Sequence, residues 1–115
     1  MAAVQEPTFF ILTALAEEPL HGYGVMQSVS ELSAGRLKLR AGTLYAALDR
    51  LTDDGLVVVD REEAVDGRLR RYYRLTDDGA AQLQAEVERL RTNASLAAAR
   101  LRKAGRLRPA PGGAG

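Results

Sequence analysis

The segment from Gly42 to Gly79 constrains the fold more than any other part of the chain. Leu44, Leu48 and Leu51 recur at helical spacing, which predicts an amphipathic helix with these three side chains turned inward. Gly55 then stands where a left-handed cap would end that helix. Leu56-Val57-Val58-Val59 is β-branched and too short for a helix of its own, and Asp66-Gly67 is a hairpin turn dipeptide. Leu69, Tyr73 and Leu75 read as one face of the return strand. Thr76 with Asp77 and Asp78 opens a further helix, placing a capping hydroxyl and two acids at the positive end of its dipole.

Two helices precede this segment. Pro7 suits the first turn of a helix carrying Phe9, Ile11, Leu12 and Leu15, and Glu17-Glu18-Pro19 closes it. A second helix starts near His21, is expected to bury Tyr23, Met26, Val29 and Leu32, and ends at Ser33-Ala34-Gly35. The last helix is expected to reach about Lys103. The fold class is therefore α+β and mainly helical: a winged helix-turn-helix over 1–76, a long C-terminal helix over 77–104 and a disordered Pro/Gly-rich tail over 105–115.

Composition narrows the function classes. The absence of cysteine excludes disulfides and thiolate metal sites and points to a reducing cytoplasm. The apolar stretch Phe9 to Ala16 is too short to span a bilayer. Its Ala14-Leu15-Ala16 end resembles a signal-cleavage site, but Gln5 and Glu6 stand where a secretory leader needs positive charge. No nucleophile–base pair or metal-ligand set can be assembled, so neither an enzyme nor a cofactor is expected. His21, the single histidine, suits a capping role. Gly22 and Gly24 make no phosphate loop, because no strand is expected before them.

The net charge of +1 conceals a segregation. Arg36, Lys38 and Arg40 precede the third helix, Arg68, Arg70, Arg71 and Arg74 crowd the return strand, and Asp60, Glu62, Glu63 and Asp66 lie between as an acidic counterweight. With the leucines inward, helical periodicity turns Gly42, Thr43, Ala46 and Arg50 outward and leaves Tyr45 on the flank. Gly42 and Ala46 are small enough for backbone approach to a groove floor. Thr43 suits a base edge or phosphate, and the Tyr45 hydroxyl suits a phosphate. The plain alternative is an ordinary solvated helix face. For the arginines it is a charged edge strand that resists aggregation, although four arginines in seven positions exceed that need.

A third constellation lies in the last helix. Leu83, Val87, Leu90, Ala94, Ala97 and Leu101 recur at spacings of four, three, four, three and four. This heptad stripe is expected to form a dimer seam, unless it packs only on its own domain.

Together these residues resemble the PadR family of bacterial transcriptional regulators. The resemblance runs from about Phe10 to Leu90. It rests on Ile11-Leu12-x-x-Leu15, Pro19-Leu20-His21-Gly22-Tyr23-Gly24-Val25, Gly42-Thr43-Leu44-Tyr45-x-x-Leu48-x-Arg50-Leu51, Asp54-Gly55-Leu56 and Arg70-Arg71-Tyr72-Tyr73-Arg74-Leu75-Thr76-x-x-Gly79. It implies the small subfamily with a single C-terminal helix, and a homodimeric repressor of transport or detoxification genes released by a small molecule. It points to Thr43, Tyr45, Arg68, Arg70 and Arg71 at the DNA. Some members stack planar drugs on tryptophan, and this chain has none. Phe9 and Phe10 are the only aromatics expected near the dimer centre, which leaves a smaller apolar or phenolic effector, or none.

The expected partners are thus double-stranded DNA, a second copy of the chain and a small-molecule effector, with no membrane. Lys38, Arg40, Gly42, Thr43, Tyr45, Ala46, Arg50, Arg68, Arg70 and Arg71 form the expected DNA surface. The competing reading is a winged-helix protein-interaction module whose basic wing meets an acidic partner.

Overall fold

The computed structural model describes residues 4–108. Along the chain run α1 (Glu6–Ala14), β1 (Leu20–His21), α2 (Gly22–Leu32), α3 (Ala41–Asp53), β2 (Val57–Val65), β3 (Arg68–Leu75) and α4 (Asp77–Lys103). They fall into two compact units, one ending at Gln84 and one beginning at Ala85. From residue 109 onward, the expected disordered tail lies outside the described residues.

The first unit is built on one apolar core. Ile11 and Leu12 of α1, Val25 and Val29 of α2, Leu44, Leu48 and Leu51 of α3, Val57 of β2 and Tyr73 of β3 are all at most 3% exposed. The three leucines of α3 turn inward as their spacing requires, and Ala47 joins them. Two expectations about α2 do not hold: Tyr23 is 61% exposed and Leu32 48%, while Val25 takes the core position. The reason is geometric. A strict every-third-residue pattern slips by about 60° per step, so residues nine apart lie on opposite sides of a helix. The face that is buried carries Gly22, Val25 and Val29.

The sheet is also larger than the expected hairpin. It has three strands in the order β1-β3-β2, and Leu20 and His21 pair antiparallel with Tyr73 and Tyr72. The arginine-bearing strand β3 is therefore central, not an edge, and a short strand does precede Gly22. The hairpin turn falls at Asp66 and Gly67, with φ of +50° and +76°, a conformation that suits an Asp-Gly pair. Register is regular from Val65↔Arg68 to Arg61↔Tyr72, where a bulge at Asp60 shifts it before Val59↔Tyr73. Leu69 does not share the burial of Tyr73. It is 65% exposed, because its cross-strand partner is Ala64, next to the turn, whereas Tyr73 pairs with Val59 beside the core.

Thr76 ties the sheet to α4. Its hydroxyl donates to the Gly55 carbonyl (2.6 Å) and accepts from the Gly79 amide (3.0 Å), and its own amide donates to the Leu56 carbonyl (3.1 Å). Leu83, on the same helix, packs against the core cluster. In the second unit the remainder of α4 exposes Leu90, Leu96 and Leu101, and Glu86 pairs with Arg89.

Candidate nucleic-acid interface

Three elements bring the functional side chains of the first unit together. On α3, burial of Leu44, Ala47, Leu48 and Leu51 leaves Gly42, Thr43, Tyr45, Ala46 and Arg50 exposed. A shallow groove of about 470 Å³ runs along this side, lined by Gly42, Thr43, Ala46 and Arg50 of α3 and by Pro7 and Thr8 of α1. Lys38 and Arg40 are exposed in the segment leading into α3, with Arg40 at its N-cap position. Arg36, part of the same basic run, instead reaches back to Glu6 at 2.9 Å.

The wing carries its charges in cross-strand pairs. Arg71 faces Glu62 at 3.6 Å, and Arg74 meets Asp60 at 3.3 Å. Arg61 donates to Glu63 (2.8 Å) and Asp60 (3.1 Å), and its guanidinium lies 4.0 Å over the Tyr72 ring. The acidic stretch between the two basic segments is thus the facing strand, not a separate counterweight. Hydrogen bonding to Arg61 holds the Glu63 carboxyl below its ordinary range. Exposed pairs of this kind add little stability each, but they fix the direction of β2 and β3 side chains. Among the described residues, Arg68 and Arg70 form no ion pair within 4.0 Å, although Arg70 stands cross-strand from Glu63 and helps hold its carboxyl ionised; both guanidinium groups can still meet an outside anion.

A second groove, about 510 Å³, separates the wing from the start of α2. Its walls include His21, Tyr23 and Tyr45 on one side and Arg68, Arg70 and Arg71 on the other. Tyr45 lies across Gly22. A Cβ at Gly22 would sit 2.6 Å from the Tyr45 Cζ and collide with its hydroxyl, so only glycine lets this ring rest on the α2 backbone. His21 caps α2, its Nδ1 accepting from the Gly24 amide at 3.2 Å. Its ring stacks parallel to Tyr23 and meets Tyr72 edge-on at 5.4 Å. Burial first, and then the positive charge of Arg70, push the His21 pKa down.

Sequence reasoning placed most of these residues but missed that His21 and Tyr23 share a groove with Tyr45 and the wing. The signal was present in the Leu20-to-Val25 run, which reads as a helix start until β1 is seen to pair with β3. Phe9 and Phe10 meet edge to face at 5.5 Å, and Phe10 packs on the core. Neither ring lines the two grooves beside α3. Among the described residues no group of His, Asp and Glu side chains could hold a metal ion, and no helix is long and apolar enough to cross a membrane.

Comparison with known proteins gives the same frame. Residues 11–85 match the model of the transcriptional regulator PadR-like family. The transcriptional regulator Rv3488 of Mycobacterium tuberculosis is 44% identical over 73 residues, 64% of this chain and 64% of that protein. The Escherichia coli transcriptional regulator YqjI is 28% identical over 80 residues, 70% of this chain but 37% of its own length. This chain thus spans less than two thirds of either relative. Among solved structures, a PadR-like transcription factor from Bacteroides fragilis superposes with a TM-score of 0.64 at 31% identity, covering 78% of this chain and 85% of that one. Bacillus subtilis PadR, solved in complex with operator DNA, has a TM-score of 0.64 at 24% identity, covering 72% of this chain and 47% of that one. The matched region runs from the second half of α1 through β3 into the start of α4 and holds the buried core and the wing residues described above, and the chain belongs to the PadR-like family of transcriptional regulators.

Proposed function

We propose that this regulator is a sequence-specific DNA-binding repressor that works as a homodimer on a pseudo-palindromic operator. In this reading α3 enters the major groove. Thr43 and Arg50 reach base edges, while Gly42 and Ala46 let the helix sit close to the groove floor. Lys38, Arg40, Tyr45, Arg68, Arg70 and Arg71 hold the backbone, and these phosphate contacts carry most of the salt-sensitive affinity.

One observation carries the reading: an exposed, small-residue face on α3 flanked by the wing arginines Arg68 and Arg70, which form no ion pair within 4.0 Å among the described residues, whereas Arg71 and Arg74 are paired with Glu62 and Asp60. The fold likeness to a PadR protein solved with operator DNA supports it. For the dimer, the support is the heptad stripe Leu83, Val87, Leu90, Ala94, Ala97 and Leu101, of which Leu90 and Leu101 remain 42% exposed. A small apolar or aromatic effector, with Phe9 and Phe10 as its candidate contacts, would release the operator by binding one dimer geometry better than the other. Footprinting on the chain's own promoter region tests this reading together with sedimentation of the free protein. A two-fold footprint with half-sites about one DNA turn apart and a dimer in solution are expected. A monomer that leaves no footprint would turn attention to an acidic protein partner of the wing.

A further inference from the structure

We propose that the groove between the wing and the start of α2 seats a single backbone phosphate of the bound DNA. The phosphate is held by Arg68 and Arg70, by the Tyr45 hydroxyl and by the Nε2–H of His21. This inference rests on the DNA-binding reading and adds to it a defined site and a residue, His21, that sequence reasoning assigned only to capping.

The donors come from three elements. Arg68 and Arg70 project from β3, Tyr45 from α3 and His21 from β1 at its junction with α2. His21 spends Nδ1 as an acceptor for the Gly24 amide, so the neutral ring carries its proton on Nε2. No described residue accepts from that nitrogen. The ring is also held by its cap bond and by an edge-to-face contact with Tyr72, with Tyr23 parallel to it, which limits the freedom lost when Nε2 donates outward. Gly22 sets the position of Tyr45 in the same way, because any side chain there would displace the ring. The charge balance of the groove favours an anion. Of its lining side chains Arg68, Arg70 and Arg71 are basic and Asp66 is acidic; Arg71 is already paired with Glu62, and Glu63, cross-strand from Arg70, acts on both Arg70 and His21 from β2. An anion there would also meet Arg70, whose charge, after burial, disfavours protonation of His21. Since the groove lies between the two elements that touch DNA in this reading, the sugar-phosphate backbone is the anion brought to it.

The test uses the full chain and duplexes from its own promoter region in which single phosphates are replaced by neutral methylphosphonates. Two variants probe the seat. Tyr45→Phe removes only an oxygen. His21→Asn keeps a side-chain acceptor for the α2 cap and loses the Nε2 donor. Thermal melting checks that each folds. Each variant is expected to bind promoter and random-sequence duplexes about tenfold more weakly, as loss of a hydrogen bond to a charged group implies, without a change in their ratio. In the wild type, neutralising one phosphate in each half-site should cost about tenfold. In either variant the same replacement should cost clearly less, because the contact is already gone. If every methylphosphonate penalty is the same in wild type and variants while the wild type binds its promoter, the seat is refuted and DNA binding stands. If the wild type binds no duplex, both fall.

Discussion

Two glycine-to-alanine substitutions, chemically identical, should have opposite consequences, and the difference can be worked from what each new methyl meets. At Gly79 the methyl meets backbone: the Leu56 carbonyl oxygen lies inside contact distance and its carbon at 3.0 Å. Neither can rotate away. Relief requires the start of α4 to move off the β2 entry. That movement strains the Thr76 amide bond to Leu56, the Thr76 hydroxyl bond to Gly55 and the cap on the Gly79 amide. Two hydrogen bonds at about 1 kcal/mol each and a cap at about 1 kcal/mol are opposed by a helix-propensity gain of about 1 kcal/mol. Gly79→Ala is therefore expected to destabilise by about 2 kcal/mol. At Gly22 the methyl meets only the far end of Tyr45, a 44% exposed side chain that can swing outward. Gly22→Ala should change stability by less than about 1 kcal/mol, the propensity gain offsetting the lost ring contact. Urea unfolding monitored by circular dichroism measures both, and repeating Gly22→Ala in a Tyr45→Ala background removes the obstacle. A Gly79→Ala protein as stable as wild type, or a Gly22→Ala loss that persists without the Tyr45 ring, would refute the reasoning.

Other expected outcomes follow from single features. Leu48→Ala empties a fully buried core position and should cost about 2–5 kcal/mol in urea unfolding, whereas Leu69→Ala, at the exposed end of the wing, should cost less than about 1 kcal/mol. The lowered pKa of His21 means that the folded protein takes up its proton less readily than the unfolded chain. Stability is thus full above the ordinary value of 6.5 and falls as the pH drops through 6.5 towards the folded value. Thermal melting between pH 8 and pH 5 should show this trend, and His21→Asn should flatten it. Replacing Leu90 and Leu101 together by lysine should leave the melting of the first unit unchanged and convert the proposed dimer to monomer in sedimentation; a dimer of unchanged affinity would remove the seam from the account.

How much of this was legible in the sequence depended on whether a residue's partners lie nearby in the chain. The α3 leucines, the Asp66-Gly67 turn and the Thr76 cap are set by local spacing and local chemistry, and the structure has them where those patterns put them. Strand β1 was not legible because a two-residue strand has no periodicity; it exists only through its pairing with Tyr72 and Tyr73, some fifty residues on. The ends of the α2 face were misread, because an every-third-residue apolar run slips around the helix and only its middle, Met26 and Val29, stays on the side that packs on the core. Likewise, the charges of β2 and β3 read as separate basic and acidic blocks until register pairs Glu62 with Arg71 and Glu63 with Arg70. The groove at Gly22 was hidden for the same reason, since it needs α2, α3 and the wing together.

The central claim is that the exposed face of α3 and the wing arginines bind DNA, and titration of a fluorescent promoter duplex at several salt concentrations tests it most directly. Wild type should bind tightly over random competitor, with affinity falling steeply as salt rises, and Arg68→Ala/Arg70→Ala should weaken binding and make the log–log salt slope shallower by about two. A folded wild-type protein that leaves the duplex free at low salt, or a wing variant with unchanged affinity and slope, would contradict it.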